Sequence, residues 1–206
     1  YRGWLLMPRG IDAWAYYGYI REPAFYLSVF SGYYVGARLP FIVPAHFAHT
    51  LLGSPVLYAY VTHLAVCILS LLTLYFIISR LFSRPAGLIT ALILGSYWPF
   101  LLAQSGFYID NVINLYGLLT VAFLLQSLSG KRVLCLTLAG GAWIGACLTN
   151  LFVATFTPGL ILFYTILLFR QPAPTRVRLR KLLVNALWVA VGAVAYLALL
   201  GVINVV

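Results

Sequence analysis

Acidic side chains are nearly missing from this chain: Asp12, Glu22 and Asp110 are its only three, against 13 Lys and Arg, and no carboxylate follows residue 110. Charged residues make up 8% of the sequence and hydrophobic residues 64%, with a mean hydropathy of +1.01. That balance excludes an ordinary soluble domain and points to an integral membrane protein. The shortage of acids leaves a net charge of +10. The basic residues stand in short clusters between apolar runs, not along one amphipathic face, so they read as topology signals and not as a nucleic-acid surface. Cysteine is scarce too. Cys67, Cys135 and Cys147 fall inside apolar runs without C-x-x-C spacing, which excludes a disulfide framework or a cysteine metal site and leaves them as small apolar side chains. No internal repeat or low-complexity tract is visible, nor does Tyr1 open the charged-then-apolar pattern of a signal peptide. The apolar run still in progress at Val206 leads us to expect a piece of a longer protein.

What is present falls into two parts. Residues 1–54 carry Arg2, Arg9, Asp12, Arg21, Glu22 and Arg38 too closely spaced for a membrane span. They read as an aromatic-rich extracytoplasmic loop with two interfacial helices. One covers Ile11 to Ile20 and is ended near Glu22 by Pro23; the other, interfacial or re-entrant, covers Leu39 to Leu52, is too short to cross, and is stopped by Gly53. Residues 55–206 read as an all-α transmembrane bundle of about six spans, each judged against the ~20 residues that a bilayer requires. These are Val56 to Ile78, Ala86 to Leu102, Asn111 to Leu128, Val133 to Thr149, Leu151 to Phe169 and Leu183 to Val205. Gly140, Gly141 and Gly145 in the fourth run suit close helix packing. His63, in the first, suits packing or a hydrogen bond between helices.

Orientation follows from the cations. Arg80 and Arg84, then Lys131 and Arg132, then Arg170 through Lys181 lie in alternate loops, and the positive-inside rule makes that side cytoplasmic. All three acids then face outward. Asp110, in the polar gap between two apolar runs, reads as a helix N-cap and equally as a functional carboxylate, since an ionisable group at a membrane edge is costly without a role. Asp12 reads either as a capping or Arg9-paired loop residue or as a general base, and Glu22 as a helix-end charge. With Tyr16 and Tyr108 among the surrounding aromatics, Asp12 and Asp110 can serve a polar substrate at the membrane surface, or together hold a divalent cation. His46 and His49, three apart, share a helix side; they supply only two of the ligands zinc requires and suit an interfacial or substrate-facing role better.

The order of motifs resembles the membrane glycosyltransferases of the GT-C fold, in particular the protein mannosyltransferase and aminoarabinose transferase-like group. An Asp followed by a Tyr in the first loop is matched by Gly10-Ile11-Asp12-Ala13-Trp14-Ala15-Tyr16. An Arg-Pro entry to an amphipathic segment is matched by Ala37-Arg38-Leu39-Pro40, running to Gly53. Basic residues closing the next span correspond to Ser79-Arg80-Leu81-Phe82. A Pro followed by a helix-opening acid corresponds to Pro99 and Asp110, and a Gly-rich run before Thr-Lys and a later Pro is similar to Gly141 through Gly145, Thr149-Asn150 and Pro158. The likeness covers about residues 10 to 170, and its order, more than any one motif, carries it.

The resemblance implies an enzyme of the bacterial inner membrane that transfers a sugar from a polyprenyl-phosphate donor to a glycan, lipid or protein on the extracytoplasmic face. It implies Asp12 as catalytic base, Asp110 as a second acid shaping the site or holding a metal, and Arg38 as a contact to the donor phosphate. Tyr16, Tyr108, His46 and Asn150 are the other expected substrate contacts. Asn150 departs from the pattern, because the Lys found there in relatives would pair with a phosphate and Asn supplies no charge. The resemblance also implies a further span before Asp12 and several after Val206. The alternatives are a transporter or flippase, against which the charge-free spans and missing inverted repeat both count, and a non-catalytic membrane scaffold.

Overall fold

The computed structural model describes residues 11–29, 38–53, 55–105, 109–129, 131–172 and 174–205. Ten α-helices and a short 3₁₀ segment make up the described chain, with no strand among those residues. The fold is all-α.

Two short helices come first. α1 (Ile11–Arg21) stops at Glu22, and α2 (Pro23–Val29) starts on Pro23, a residue suited to a first helical turn because its missing N–H would have no partner there. Arg21 and Glu22 lie 3.5 Å apart, but both are exposed. Such a pair is worth about 0–1 kcal/mol, so proline chemistry rather than charge defines the junction. α3 (Leu39–Leu52) opens on Pro40 and closes on Gly53, whose φ of 67° lies in the left-handed region. The Gly53 N–H donates to the His49 carbonyl at 2.9 Å, which is how a C-terminal cap satisfies a free carbonyl. These bounds match the two expected interfacial helices almost to the residue.

α4 (Pro55–Leu81) is followed, after a turn at Phe82, by α5 (Arg84–Ser96). Ser83 caps α5 by accepting from the Ala86 N–H at 3.3 Å. The expected second span does not continue to Leu102. The chain is extended at Tyr97 (φ −76°, ψ 112°) and restarts as α6 (Trp98–Ser105). Pro99 is the physical reason, since it has no N–H to give the Gly95 carbonyl and its ring would collide there in a continuous helix. α7 (Asp110–Gln126), α8 (Arg132–Thr149), a 3₁₀ segment (Leu151–Phe156), α9 (Thr157–Phe169) and α10 (Thr175–Val205) complete the chain.

Four stretches are long and apolar enough to cross a bilayer by length and composition: Tyr60–Leu81, Arg132–Thr149, Leu151–Phe169 and Thr175–Val202. They correspond to the expected first, fourth, fifth and sixth spans. The third, now α7, has 17 residues. Apolar side chains on these helices point outward. On α4, Leu57, Val61, Leu64, Ile68 and Leu72 repeat at helical spacing and each leaves about half its surface exposed. In water such a stripe would be a liability, whereas in lipid it is the expected outer face.

The chain divides into two compact units, residues 1–115 with 148–150, and residues 116–147 with 151–206. The core of the first joins α1 and α3 to the residues on either side of Asp110. Tyr16, Tyr19, Ile20, Phe41, Ile42, Tyr58 and Ile109 are all buried in it, with Val112 and Ile113 packed alongside. In the second unit, Leu124, Leu136, Ala139, Tyr164 and Leu168 form the buried cluster. There α8 and α10 meet backbone to backbone. A Cβ built on Gly140 would lie 1.9 Å from the Val189 carbonyl oxygen, and one on Gly192 would lie 1.9 Å from that of Thr137. The expected packing role of the Gly-rich run is thereby met most directly at Gly140.

Candidate active site at the start of α7

Asp110 is the first residue of α7, where the partial positive charge of a helix N-terminus favours a carboxylate. Ile109 before it is buried against α1 and α3, and Asn111 after it is 1% exposed. Asp110 is thus held between two anchored neighbours and is itself exposed. Enough of the unit still surrounds its carboxyl for desolvation to raise the pKa above the ordinary 3.8, while the Arg38 guanidinium acts in the opposite sense. Asp110 and Arg38 are therefore electrostatic neighbours.

Arg38 directly precedes α3 and also engages α1. Its guanidinium carbon lies 5.5 Å from the centre of the Tyr16 ring, within cation–π range. Tyr16 is fully buried and meets Phe41 edge-on at 5.2 Å. In this structure the Tyr16 ring is turned to Arg38 and helps to hold the cation in place. His46 likewise has an internal partner, its Nδ1–H donating to the Ile20 carbonyl at 2.6 Å. That bond ties α3 to α1, and only Nε2 is left to face outward. Its neighbour His49 packs its ring against Tyr58 at 5.0 Å.

Of the other expected site residues, Asp12 stands in the first turn of α1, and its side chain lies outside the described residues, as does Tyr108 entirely. Asn150 is half-buried just after α8. The structure therefore brings together Arg38, Tyr16 and Asp110, with His46 bracing the two helices that carry the first two. Among the described residues no three His, Cys, Asp or Glu gather as metal ligands. The Arg38 charge beside Asp110 opposes a divalent cation at that carboxylate.

Sequence reasoning missed Asn111. Its Nδ2–H donates to His63 Nδ1 at 2.6 Å while its Oδ1 accepts from the Val112 N–H at 2.7 Å. Both side chains are almost completely buried. This bond pins the first turn of α7 to α4 and gives His63 the hydrogen-bonding role expected of it. The available signal was an imidazole inside one long apolar run and an amide at the start of another, where polar groups need partners.

The fold and these four outward-facing helices define an all-α integral membrane protein with a polar, cation-bearing cluster beside the start of α7. Comparison with protein-family models, with curated proteins and with solved structures finds no match.

Proposed function

We propose that this protein is a glycosyltransferase that moves a sugar from a polyprenyl-phosphate donor to a glycan, lipid or protein acceptor on the extracytoplasmic face. The observation that carries the reading is the grouping of Arg38 and Asp110 at the N-terminal end of α7, in the chain's first compact unit. The positive-inside rule puts that end on the side away from the basic loops. The motif order over residues 10 to 170 supplies the class.

In this reading Arg38 pairs with the donor phosphate, since a guanidinium offers a planar fork of donors to phosphate oxygens. Asp12 takes the proton from the acceptor hydroxyl as its oxygen bonds to the anomeric carbon. The bond from that carbon to the phosphate oxygen breaks, and polyprenyl phosphate leaves with the electron pair and the added negative charge. Arg38 stabilises that charge as it develops, which is the electrostatic contribution that matters most for such a leaving group. Asp110 fixes the guanidinium by its charge, and Tyr16 does so through its ring.

The test is a glycan and glycolipid profile of source cells carrying full-length wild type, a deletion, Asp12→Asn or Arg38→Gln, with membrane abundance measured by blot. The expected result is that both substitutions reproduce the deletion's loss of one glycoform at unchanged abundance. A deletion that leaves the profile intact overturns the reading and makes transport the leading alternative. A deletion that loses a glycoform which both substituted proteins keep overturns the site.

A further inference from the structure

The second unit contains a different polar site, on the side of the basic loops. Ser127 just after α7, Arg132 at the start of α8, Tyr164 within α9, Gln171 just after it, and Lys181 and Asn185 in α10 line a cavity of about 70 Å³. Its polar groups are wired in series. Arg132 donates to Asn185 Oδ1 through Nε at 2.7 Å and also through Nη2, which donates in addition to the Lys181 carbonyl at 3.3 Å. The Asn185 amide donates to the Tyr164 hydroxyl at 2.6 Å, and that hydroxyl shares a hydrogen bond with Ser127 at 3.1 Å. Asn185 is 1% exposed, and Arg132 is half-buried.

This wiring holds the guanidinium rigidly by one edge. No described residue accepts from its Nη1 hydrogens, so a second edge of the fork remains for a ligand. Charge gives the stronger argument. Residues 111–206 contain no Asp or Glu, while Arg132 and Lys181 both line the cavity and Lys131, Arg170, Arg176, Arg178 and Arg180 stand close to them in sequence, the last three in the first turns of α10. A half-buried cation is costly without a counter-charge, and this unit has no carboxylate to supply one. An anion from outside the chain answers the deficit. The cavity has room for one tetrahedral oxyanion. Leu128 and Leu168 form an apolar wall beside it, and basic pockets between membrane helices on the cytoplasmic side are suited to phosphate headgroups.

We propose that this cavity binds a single phosphate group, gripped by the free edge of Arg132 and by Lys181, with Gln171 as a neutral partner. The phosphate belongs to an anionic phospholipid headgroup or to a soluble phosphate, and the chemistry of recognition is the same. The site is separate from the Arg38 cluster and does not depend on the transferase reading.

The test uses the full chain in nanodiscs of neutral phosphatidylcholine, with phosphatidic acid added in one arm and inorganic phosphate titrated in the other, bound ligand being read by native mass spectrometry. Lys181→Gln is the test variant, Gln171→Ala a milder second, and Lys181→Arg the rescue. Arg180→Gln, an exposed position, removes the same charge outside the cavity. We expect Lys181→Gln to lower retention roughly tenfold or more, the scale of one charge-assisted hydrogen bond. Gln171→Ala should lower it less, and Lys181→Arg and Arg180→Gln should leave it near wild type. Retention of phosphatidic acid that inorganic phosphate does not displace identifies a lipid site, and saturable binding of inorganic phosphate alone identifies a soluble one. Equal losses in Lys181→Gln and Arg180→Gln, or no retention in either arm, would overturn the proposal.

Discussion

Replacing Gly140 with alanine tests the α8–α10 contact more sharply than any other single change. The new Cβ would sit 1.9 Å from the Val189 carbonyl oxygen and 2.8 Å from its carbon. Ordinary contact begins near 3.4 Å, so the helices must part by roughly 1.5 Å locally, because neither group is a side chain that can swing away. A gap of even ~1 Å already forfeits up to half of each dispersion contact around it. Overpacking of this kind costs about 1–3 kcal/mol, and the upper end is expected here because backbone opposes backbone. Gly192→Ala meets the Thr137 carbonyl at the same 1.9 Å and should cost as much. The double variant should cost less than the sum, since the first substitution has already opened the seam. Gly117→Ala is the control, having no neighbour within 4 Å; it should be neutral or slightly stabilising, as alanine favours helix by up to ~1 kcal/mol. Unfolding by SDS titration from mild detergent, followed by Trp fluorescence and circular dichroism, reads all four proteins. Gly140→Ala unfolding at the same midpoint as Gly117→Ala would refute the close approach.

Four further outcomes follow from other features of the fold. Arg38→Gln should move the Asp110 titration still higher, because Arg38 opposes the upward effect of desolvation, and carboxyl carbon chemical shifts across pH will show it. With the folded pKa above the unfolded 3.8, Asp110's contribution to stability is fully present below that value and is lost as pH rises through the folded one, so Asp110→Asn should flatten stability over that window. His63→Leu or Asn111→Leu alone should cost about 1–3 kcal/mol by stranding a buried partner, whereas the double substitution should recover much of the loss in the same SDS titration. Gly53→Ala should cost about 1 kcal/mol through its φ of 67° alone, since nothing lies within 4 Å of the added methyl, and Gly53→Asn should cost less, by thermal unfolding.

Local punctuation was legible from sequence, and remote pairing was not. Pro23 and Gly53 bound α1 and α3 because each acts on its own backbone. The four crossing helices were equally readable, since length and hydropathy are properties of a single run. The break at Tyr97 was missed because the apolar character of residues 86–102 continues unbroken through it, while the cause, Pro99, is one residue acting on a carbonyl one turn away. α10 starts at Thr175, ahead of the expected Leu183, because Arg, Leu and Lys are good helix formers and a charged turn can extend past the bilayer edge. At the site, Arg38 and Asp110 were each recognisable as unusual charges. Their coupling depends on Ile109 and Phe41 sharing one core, which no spacing rule reveals. Arg132 was read only as a topology signal, although Asn185 and Tyr164 make it the end of a buried chain of hydrogen bonds.

The interruption at Tyr97 also bears on the lipid around the protein. Arg84 keeps the first turn of α5 among headgroups, and 13 residues rise only about 20 Å, well short of a hydrocarbon layer of ~30 Å. The carbonyls freed at the break cannot be left in oil. Tyr97 and Trp98, each more than half exposed, are the residue types that settle at headgroup depth. Where α5 enters the bilayer, the lipid beside it must thin, or admit water, to meet them. A thinned patch of this kind shortens the distance a long-chain lipid's polar end travels from its own leaflet into the protein, so a helix too short to cross becomes a local dimple in the membrane.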